Sequence, residues 1–245
     1  MSSLAEDGLP RAQVPAAFDT EAASYDRLVG ANPGYHKHLR WSARRLGLPG
    51  AGAGLRILDA GCGTGASTAA LLDVYPAADV TAFDASAEML AQARRKRWPK
   101  PVEFVHTTVE DLGGSGITGP FDAVLAAYLV RNLADPDARL RGLGALLGSG
   151  APIALHEYSV ADSARARLVW NVVCATIIIP LGRFTTGDAT LYRHLRRSVL
   201  GFDGVGALRD RLGAAGFTDV RSATMSGWQH GIVHTFVGRK PRAAV

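Results

Sequence analysis

The sequence predicts an α/β fold: a mostly parallel sheet with helices on both faces and an antiparallel hairpin at its C-terminal end. Three observations carry the prediction. Five short apolar runs alternate with amphipathic stretches between residues 55 and 158, the pattern of βαβ units whose strands lie parallel. The first run ends in Gly61, Gly63 and Gly65, which allow a sharp strand-to-helix turn where side chains would clash. Two β-rich segments, 218–224 and 229–238, close the chain and can pair as a hairpin.

In order, residues 1–14 carry Gly, Pro and charge and read as a mobile tail. A helix is predicted from residue 16, with Phe18, Ala22 and Tyr25 at three-to-four spacing, and a second over 35–46. Glycine and proline over 47–54 form a linker. Strand one covers 55–60, and its helix, 67–75, ends before Pro76. Strand two is 79–84; Ser86 caps the next helix, whose last turn carries Arg94, Arg95, Lys96 and Arg97 as a solvated basic end. Strands three, four and five follow at 102–107, 121–127 and 151–158, with a helix over 136–147 before the last. Beyond them the apolar run 168–179 is stopped by Pro180. Polar helices over 188–200 and 204–215 precede the hairpin. Right-handed crossovers place the loops after strands one, two and four around one crevice.

At 245 residues this is one domain with a sizeable insertion: residues 15–50 as N-terminal helices, 51–159 as the ligand-binding core, 160–203 as a helical lid, 204–240 as the last helix and hairpin. The net charge of +5 is spread out rather than gathered in a basic run, which argues against a nucleic-acid partner. Cys62 and Cys174 have neither metal-ligand nor disulfide spacing, and no cluster suggests a metal; both read as reduced residues of a cytoplasmic protein. No run of 18 apolar residues is present, so no spanning helix is expected. The sequence leaves the oligomeric state unset and allows a homodimer.

The chemistry gathers at LRILDAGCGTGA, residues 55–66. A glycine turn running into a helix start offers free N–H groups to a ligand, which fits a nucleoside cofactor. S-adenosylmethionine is the leading candidate. Gly61, Gly63 and Ala66 also satisfy G-x-G-x-x-A, so the loop alone leaves NAD standing. Asp59, just before the loop, suits an amine or sulfonium. Asp84, at the end of strand two, can accept both hydroxyls of a ribose.

The wider context resembles one family. DAGCGTGAS, FDASAEML and FDAVLAAYLVRNL look like the class I, Rossmann-like S-adenosylmethionine-dependent methyltransferases. More narrowly, FDTEAASYD, LVRNL, HEYS, IIPLGRFTTGDATLYRHLRRSV, AAGFTDV and HGIVHTFVGRK resemble the ubiquinone/menaquinone-biosynthesis C-methyltransferases, over about residues 18–240. The resemblance implies a seven-stranded sheet and a set of roles. Tyr25 closes over the methionine end; Gly61, Cys62, Gly63 and Gly65 lie under the cofactor, with Thr68 beside it. Asp84 holds the ribose, Ala85 and Met89 flank the adenine, and Thr108 and Val109 meet its edge. Ala127 backs the methionine moiety, and Arg131 and Asn132 face the acceptor. S-adenosylhomocysteine is the product.

There are departures. Thr108 stands where the family usually has Asp or Asn, and Ala127 where a hydroxyl is common. Gly148-Ser149-Gly150 replaces Lys-Pro-Gly-Gly, and Tyr128-Leu129 replaces Phe-Gly. The acceptor side is therefore expected to be remodelled while the cofactor side is kept.

Methylating the carbon of a quinol needs alignment, exclusion of water and a group that favours the phenolate. Arg131 is the first candidate, as a cation rather than a base. His156 and Tyr192 are candidates for acceptor contact; His36, His38, His194, His230 and His234 read as packed or solvated. The run 168–179 is either a wall for an isoprenoid tail or core packing, and a lipid-dissolved acceptor would bring peripheral membrane contact. Three further readings stay open: a specialised-metabolite O-, N- or C-methyltransferase, a cyclase or scaffold that keeps the cofactor without methylating, and a dehydrogenase.

Overall fold

The computed structural model describes residues 14–30 and 32–242. The tail expected to be mobile lies, apart from Val14, outside these residues; Val14 itself begins α1 (Val14–Gly30) and is buried. α2 (Tyr35–Arg45) follows, packed on α3 (Ala66–Val74).

Seven strands form one sheet in the order β3-β2-β1-β4-β5-β7-β6. β1 (Arg56–Ala60), β2 (Asp79–Asp84), β3 (Glu103–His106), β4 (Ala123–Ala127) and β5 (Pro152–Tyr158) run parallel. β7 (Val233–Arg239) is antiparallel to both β5 and β6 (Thr218–Thr224). Side chains alternate across a strand, and the core divides accordingly. Leu58, Val124 and Phe236 face one layer with Leu212 of α9 (Val205–Ala214); Ile57, Leu125 and Val237 face the other with Leu71 of α3. All seven residues of β5 are buried, as its place between β4 and β7 requires.

Local signals set the helix ends. The Ser86 hydroxyl accepts from Met89 N at 3.1 Å to start α4 (Ala87–Arg95). Asp135 accepts from Ala138 N at 3.0 Å, with Pro136 in the first turn of α5 (Pro136–Ala145). Strand four starts two residues later than its apolar pattern. Phe121 N donates instead to Leu146 O, and Phe121 O accepts from Gly148 N, both at 2.8 Å.

The insertion corrects two expectations. Pro180 does not stop the helix. α6 (Ala164–Val173) passes through one π turn (Cys174–Ile178) into α7 (Ile179–Thr186). Proline lacks an N–H and crowds the carbonyl four residues back; the wider turn just before it, with Ile179 N on Cys174 O, lets the helix continue. The continuous stretch Ala164–Thr185 is thus 22 residues, long and apolar enough to cross a membrane by length and composition. Here it lies along the domain. Ala166, Trp170 and Cys174 are buried, Tyr158 packs on Trp170 at 4.7 Å, and α8 (Thr190–Leu200) packs against α6 and α7. Tyr192 of α8 is buried, its ring where a Cβ on Gly182 would stand.

Candidate active site

The sheet's strand order reverses between β1 and β4, and a crevice opens there at the strands' C-terminal ends. It holds a cavity of about 420 Å³. The glycine turn forms one wall. Gly61 N and Cys62 N both donate to Phe83 O at 2.9 Å, tying the turn to β2. Gly63 N donates to Asp84 Oδ2 at 2.7 Å, and Ser86 N to Asp84 Oδ1 at 2.9 Å. One carboxylate therefore fastens two loops, and burial raises its pKa.

Two glycines show what the turn is for. Gly63 has φ +55°, and a Cβ there would meet nothing within 4 Å, so the backbone borders open space. Gly65 has φ +90°, and a Cβ there would stand 2.7 Å from the Trp98 ring. The first glycine leaves room for a ligand; the second leaves room for packing.

α1 lies over the crevice and is pinned to it at two points. Asp19 Oδ1 accepts from Ser86 Oγ at 2.5 Å and from Glu88 N at 3.1 Å. Asp26 accepts from Thr64 Oγ1 and pairs with Lys96 Nζ, each at 2.6 Å. Two aspartates seven apart share one helix face, and that spacing in FDTEAASYD was the signal that sequence reasoning passed over. Phe18 and Tyr25, each the residue before a pin, reach the cavity. Tyr25 and Tyr35 share a hydrogen bond between their phenols, and burial raises the pKa of both.

Ten of the thirteen residues expected to hold the cofactor line this cavity: Tyr25, Gly61, Cys62, Gly63, Asp84, Ala85, Met89, Thr108, Val109 and Ala127. Asp59, Gly65 and Thr68 sit behind the wall. Asp59 is fully buried; its Oδ2 accepts from Thr68 Oγ1 at 2.6 Å and Ser67 Oγ at 2.8 Å, while its Oδ1 has no partner among the described residues. Burial pushes the Asp59 carboxyl up to about 7, against the pull of those two hydroxyls. Folded Asp59 therefore holds its proton more tightly than in the unfolded chain. Its contribution to stability is complete below pH 4 and lost as pH rises through 7. Relative to Asp59→Asn, the ligand-free protein should lose about 4 kcal/mol of unfolding free energy between pH 4 and 8. Denaturant melts at several pH values measure it; a difference independent of pH would refute the assignment.

At the far end stand Arg131 and Asn132. Arg131 lines the cavity yet is only 8% exposed. Its Nη1 donates to Glu157 Oε1 at 2.7 Å and to Tyr128 O at 2.8 Å, and its Nε has no partner among the described residues. Burial opposes the charge most strongly, but Glu157, by charge and hydrogen bond, together with the Tyr158 and Tyr25 phenols holds the guanidinium above its ordinary pKa. Glu157, next to His156 in HEYS, carries no motif of its own in the sequence. Neighbours on a strand point to opposite faces, so one of that pair had to face away from the other, and a buried arginine needs an anion.

The expected catalytic residues His156 and Tyr192 do not line the cavity. His156 is fully buried. Its Nε2 lies 2.9 Å from the Tyr128 hydroxyl and its Nδ1 2.7 Å from Ser42 Oγ. Ser42 Oγ is 2.6 Å from Thr235 Oγ1, which accepts from Arg45 Nη1 at 2.6 Å. Arginine only donates. With one ring nitrogen on Ser42 and the other on Tyr128, a neutral imidazole donates one of these bonds and accepts the other. The imidazole is neutral, its pKa pulled down to about 3 by burial and by His38, Arg45 and His234. Tyr128 carries φ +57° and stacks on Tyr35 at 5.9 Å and on Tyr158 at 4.8 Å. Its carbonyl takes both Arg131 Nη1 and Asn132 Nδ2. His156 therefore bonds to Tyr128, whose carbonyl in turn holds the Arg131 side chain. No group of three or more His, Cys, Asp or Glu among the described residues could hold a metal ion.

This strand order, with a crevice at the β1/β4 reversal, is that of class I S-adenosylmethionine-dependent methyltransferases. Among them is magnesium protoporphyrin IX methyltransferase of Synechocystis PCC 6803 with bound S-adenosylmethionine (TM-score 0.64, 16% identity, 98% of this chain and 100% of that one). Within that class the chain belongs to the ubiE/COQ5 methyltransferase family, whose sequence model matches residues 7–240. It is 32% identical over 224 residues to a demethylmenaquinone methyltransferase of Thermus thermophilus, covering 91% of this chain and 100% of that protein. It is 29% identical over 234 residues to the ubiquinone/menaquinone biosynthesis C-methyltransferase UbiE of Pseudomonas paraeruginosa, covering 94% and 89%. The cofactor is S-adenosylmethionine, and the open space beside Gly63, bordered by the Asp84 carboxylate and the apolar Met89 and Val109, fits a nucleoside. The sheet expected from sequence, with its antiparallel hairpin and its helical insertion after strand five, is the one found.

Proposed function

We propose that this protein methylates a ring carbon of a quinol of the menaquinone or ubiquinone type. The observation that carries the reading is Arg131: a buried guanidinium at the cavity, held by Glu157, with a donor left over. S-adenosylmethionine supplies an electrophilic methyl group on sulfur. Arg131 favours ionisation of the acceptor hydroxyl beside the reacting carbon, and the phenolate places electron density on that carbon. Tyr35 and Tyr128 form an aromatic wall against which a planar ring can lie. Asp84 accepts the ribose hydroxyls, Ala85 and Met89 pack the adenine, and Thr108 and Val109 border its edge. Gly61, Cys62 and Gly63 lie under the methionine moiety, backed by Ala127 and covered by Tyr25, with Gly65, Thr68 and Asp59 supporting the turn from behind. Cys62 is no nucleophile, since burial holds its thiol well above the ordinary pKa.

Labelled S-adenosylmethionine incubated with demethylmenaquinol, and separately with a demethylated ubiquinol precursor, tests the reading. Label on a ring carbon of either product is the expected result; label on oxygen, or in neither, refutes it. One observation favours a second reading, methylation of another electron-rich ring of specialised metabolism. Tyr128 stands where the resemblance implies Phe, and its hydroxyl is committed to His156. A panel of soluble phenols run beside the two quinols separates the readings.

A further inference from the structure

We propose that the insertion helix is a docking surface for an anionic lipid bilayer. Leu168, Val172, Ile177, Leu181 and Phe184 are large apolar side chains left in solvent, Phe184 at 90% exposure and Leu168 at 64%. They lie opposite the buried Ala166, Trp170 and Cys174. Their spacing is four, five, four and three, and the step of five spans the π turn. Without that turn Ile177 and everything after it would rotate off the row, so the turn that admits Pro180 also keeps the apolar face continuous.

Charge decides what covers this face. No acid occurs from Ala164 to Thr186, while Arg165 and Arg167 stand at one end and Arg183 at the other, all exposed. From there to Gly201 come Arg193, Arg196 and Arg197 against the single Asp188. A second copy paired across a twofold axis would set these arginines against each other with no acid on the helix to answer them. A helix lying in the plane of a bilayer sets its apolar row among the acyl chains and its flanking arginines at anionic headgroups. The surface sits beside the entry to the site: α7 packs on α1, whose Val14 and Phe18 line the cavity. Docking does not depend on which ring is methylated, so vesicles without quinol test it alone.

The test is co-sedimentation of the full chain with phosphatidylcholine vesicles, with and without phosphatidylglycerol. The wild-type protein should bind the mixed vesicles, less at high salt. Ile177→Glu/Phe184→Glu should lower the partition coefficient by about tenfold or more. Arg165→Gln/Arg167→Gln/Arg183→Gln should remove the preference for phosphatidylglycerol. Both variants should keep the thermal shift given by S-adenosylhomocysteine, which shows that they fold. Absence of vesicle binding, or binding that Ile177→Glu/Phe184→Glu leaves intact, overturns the proposal. So does a dimer in light scattering that the same variant splits, which would make a second copy the occupant.

Discussion

Replacing Arg131 by methionine should cut kcat by about 10²–10³ and lower the melting temperature by about 6–20 °C. The two losses have separate origins. Glu157 is 1% exposed; burial raises its pKa, and the charge of Arg131, with Nη1 2.7 Å away, is what draws it back down. Removing the cation strands that carboxylate in the interior, at a cost of about 3–5 kcal/mol. Replacing both members by apolar groups removes the stranded charge, so Arg131→Met/Glu157→Leu should regain much of the melting temperature. Activity should not return, because among the described residues no other side chain lining the cavity is a lysine or arginine that could face a forming phenolate. Arg131→Lys keeps the charge but, with a shorter reach and no planar fork, does not set it in the same place between Glu157 and the Tyr128 carbonyl, and should fall between. Thermal melts and steady-state kinetics on the same preparations measure both quantities. If the double variant regained activity with stability, or if Arg131→Met lost stability alone, Arg131 would be a structural residue and the proposed chemistry would lack its cation.

What the sequence discloses about this site follows how local each interaction is. The glycine turn, Asp84 and Met89 are legible because each acts within one strand–loop–helix unit or between neighbouring units, where hydrophobic period and glycine spacing fix the geometry. Asp84 meets Gly63 because β1 and β2 are adjacent in both chain and sheet. His156 is different. Its meaning depends on Ser42, 114 residues away, and on Thr235, which joins Ser42 across 193 residues. No periodicity reports that meeting of α2, β5 and β7. Without it a histidine at a strand end reads as an acceptor contact rather than as a support for Tyr128.

The insertion shows the same limit in packing. In YRHLRR the charges suggest a solvated helix, and Tyr192 a residue free to reach the acceptor. Gly182 instead makes a notch that the Tyr192 ring fills, a steric fit between two helices that no local pattern announces. Pro180 reads as a stop because proline usually is one; the π turn that accommodates it leaves no residue-level signature in CATII. Counter-ions were within reach. A buried arginine at a strand-end loop demands an anion on a neighbouring strand, and HEYS contained one.

Asp84→Ala should weaken S-adenosylhomocysteine binding by about 100-fold or more. Hydrogen bonds to a charged acceptor contribute about 1.5–3 kcal/mol each, and the proposed role gives this carboxylate both ribose hydroxyls. A second effect adds to the first. Asp84 also accepts from Gly63 N and Ser86 N, so the alanine variant releases the glycine turn on which the proposal places the cofactor. Ligand at about 100 times Kd stabilises a folded protein by about 2.7 kcal/mol. At a concentration that shifts the wild-type melt by several degrees, Asp84→Ala should therefore show almost no shift. Gly63→Ala separates the two contributions. Its methyl group projects into open space and leaves the Asp84 carboxylate in place, so it should fold, with about 1–2 kcal/mol of strain from the positive φ, and should also lose cofactor binding by obstruction. Calorimetric titration of both variants with S-adenosylhomocysteine is the measurement. An affinity for Asp84→Ala within about threefold of wild type would leave the carboxylate with the loop alone, and would move the ribose to another part of the crevice.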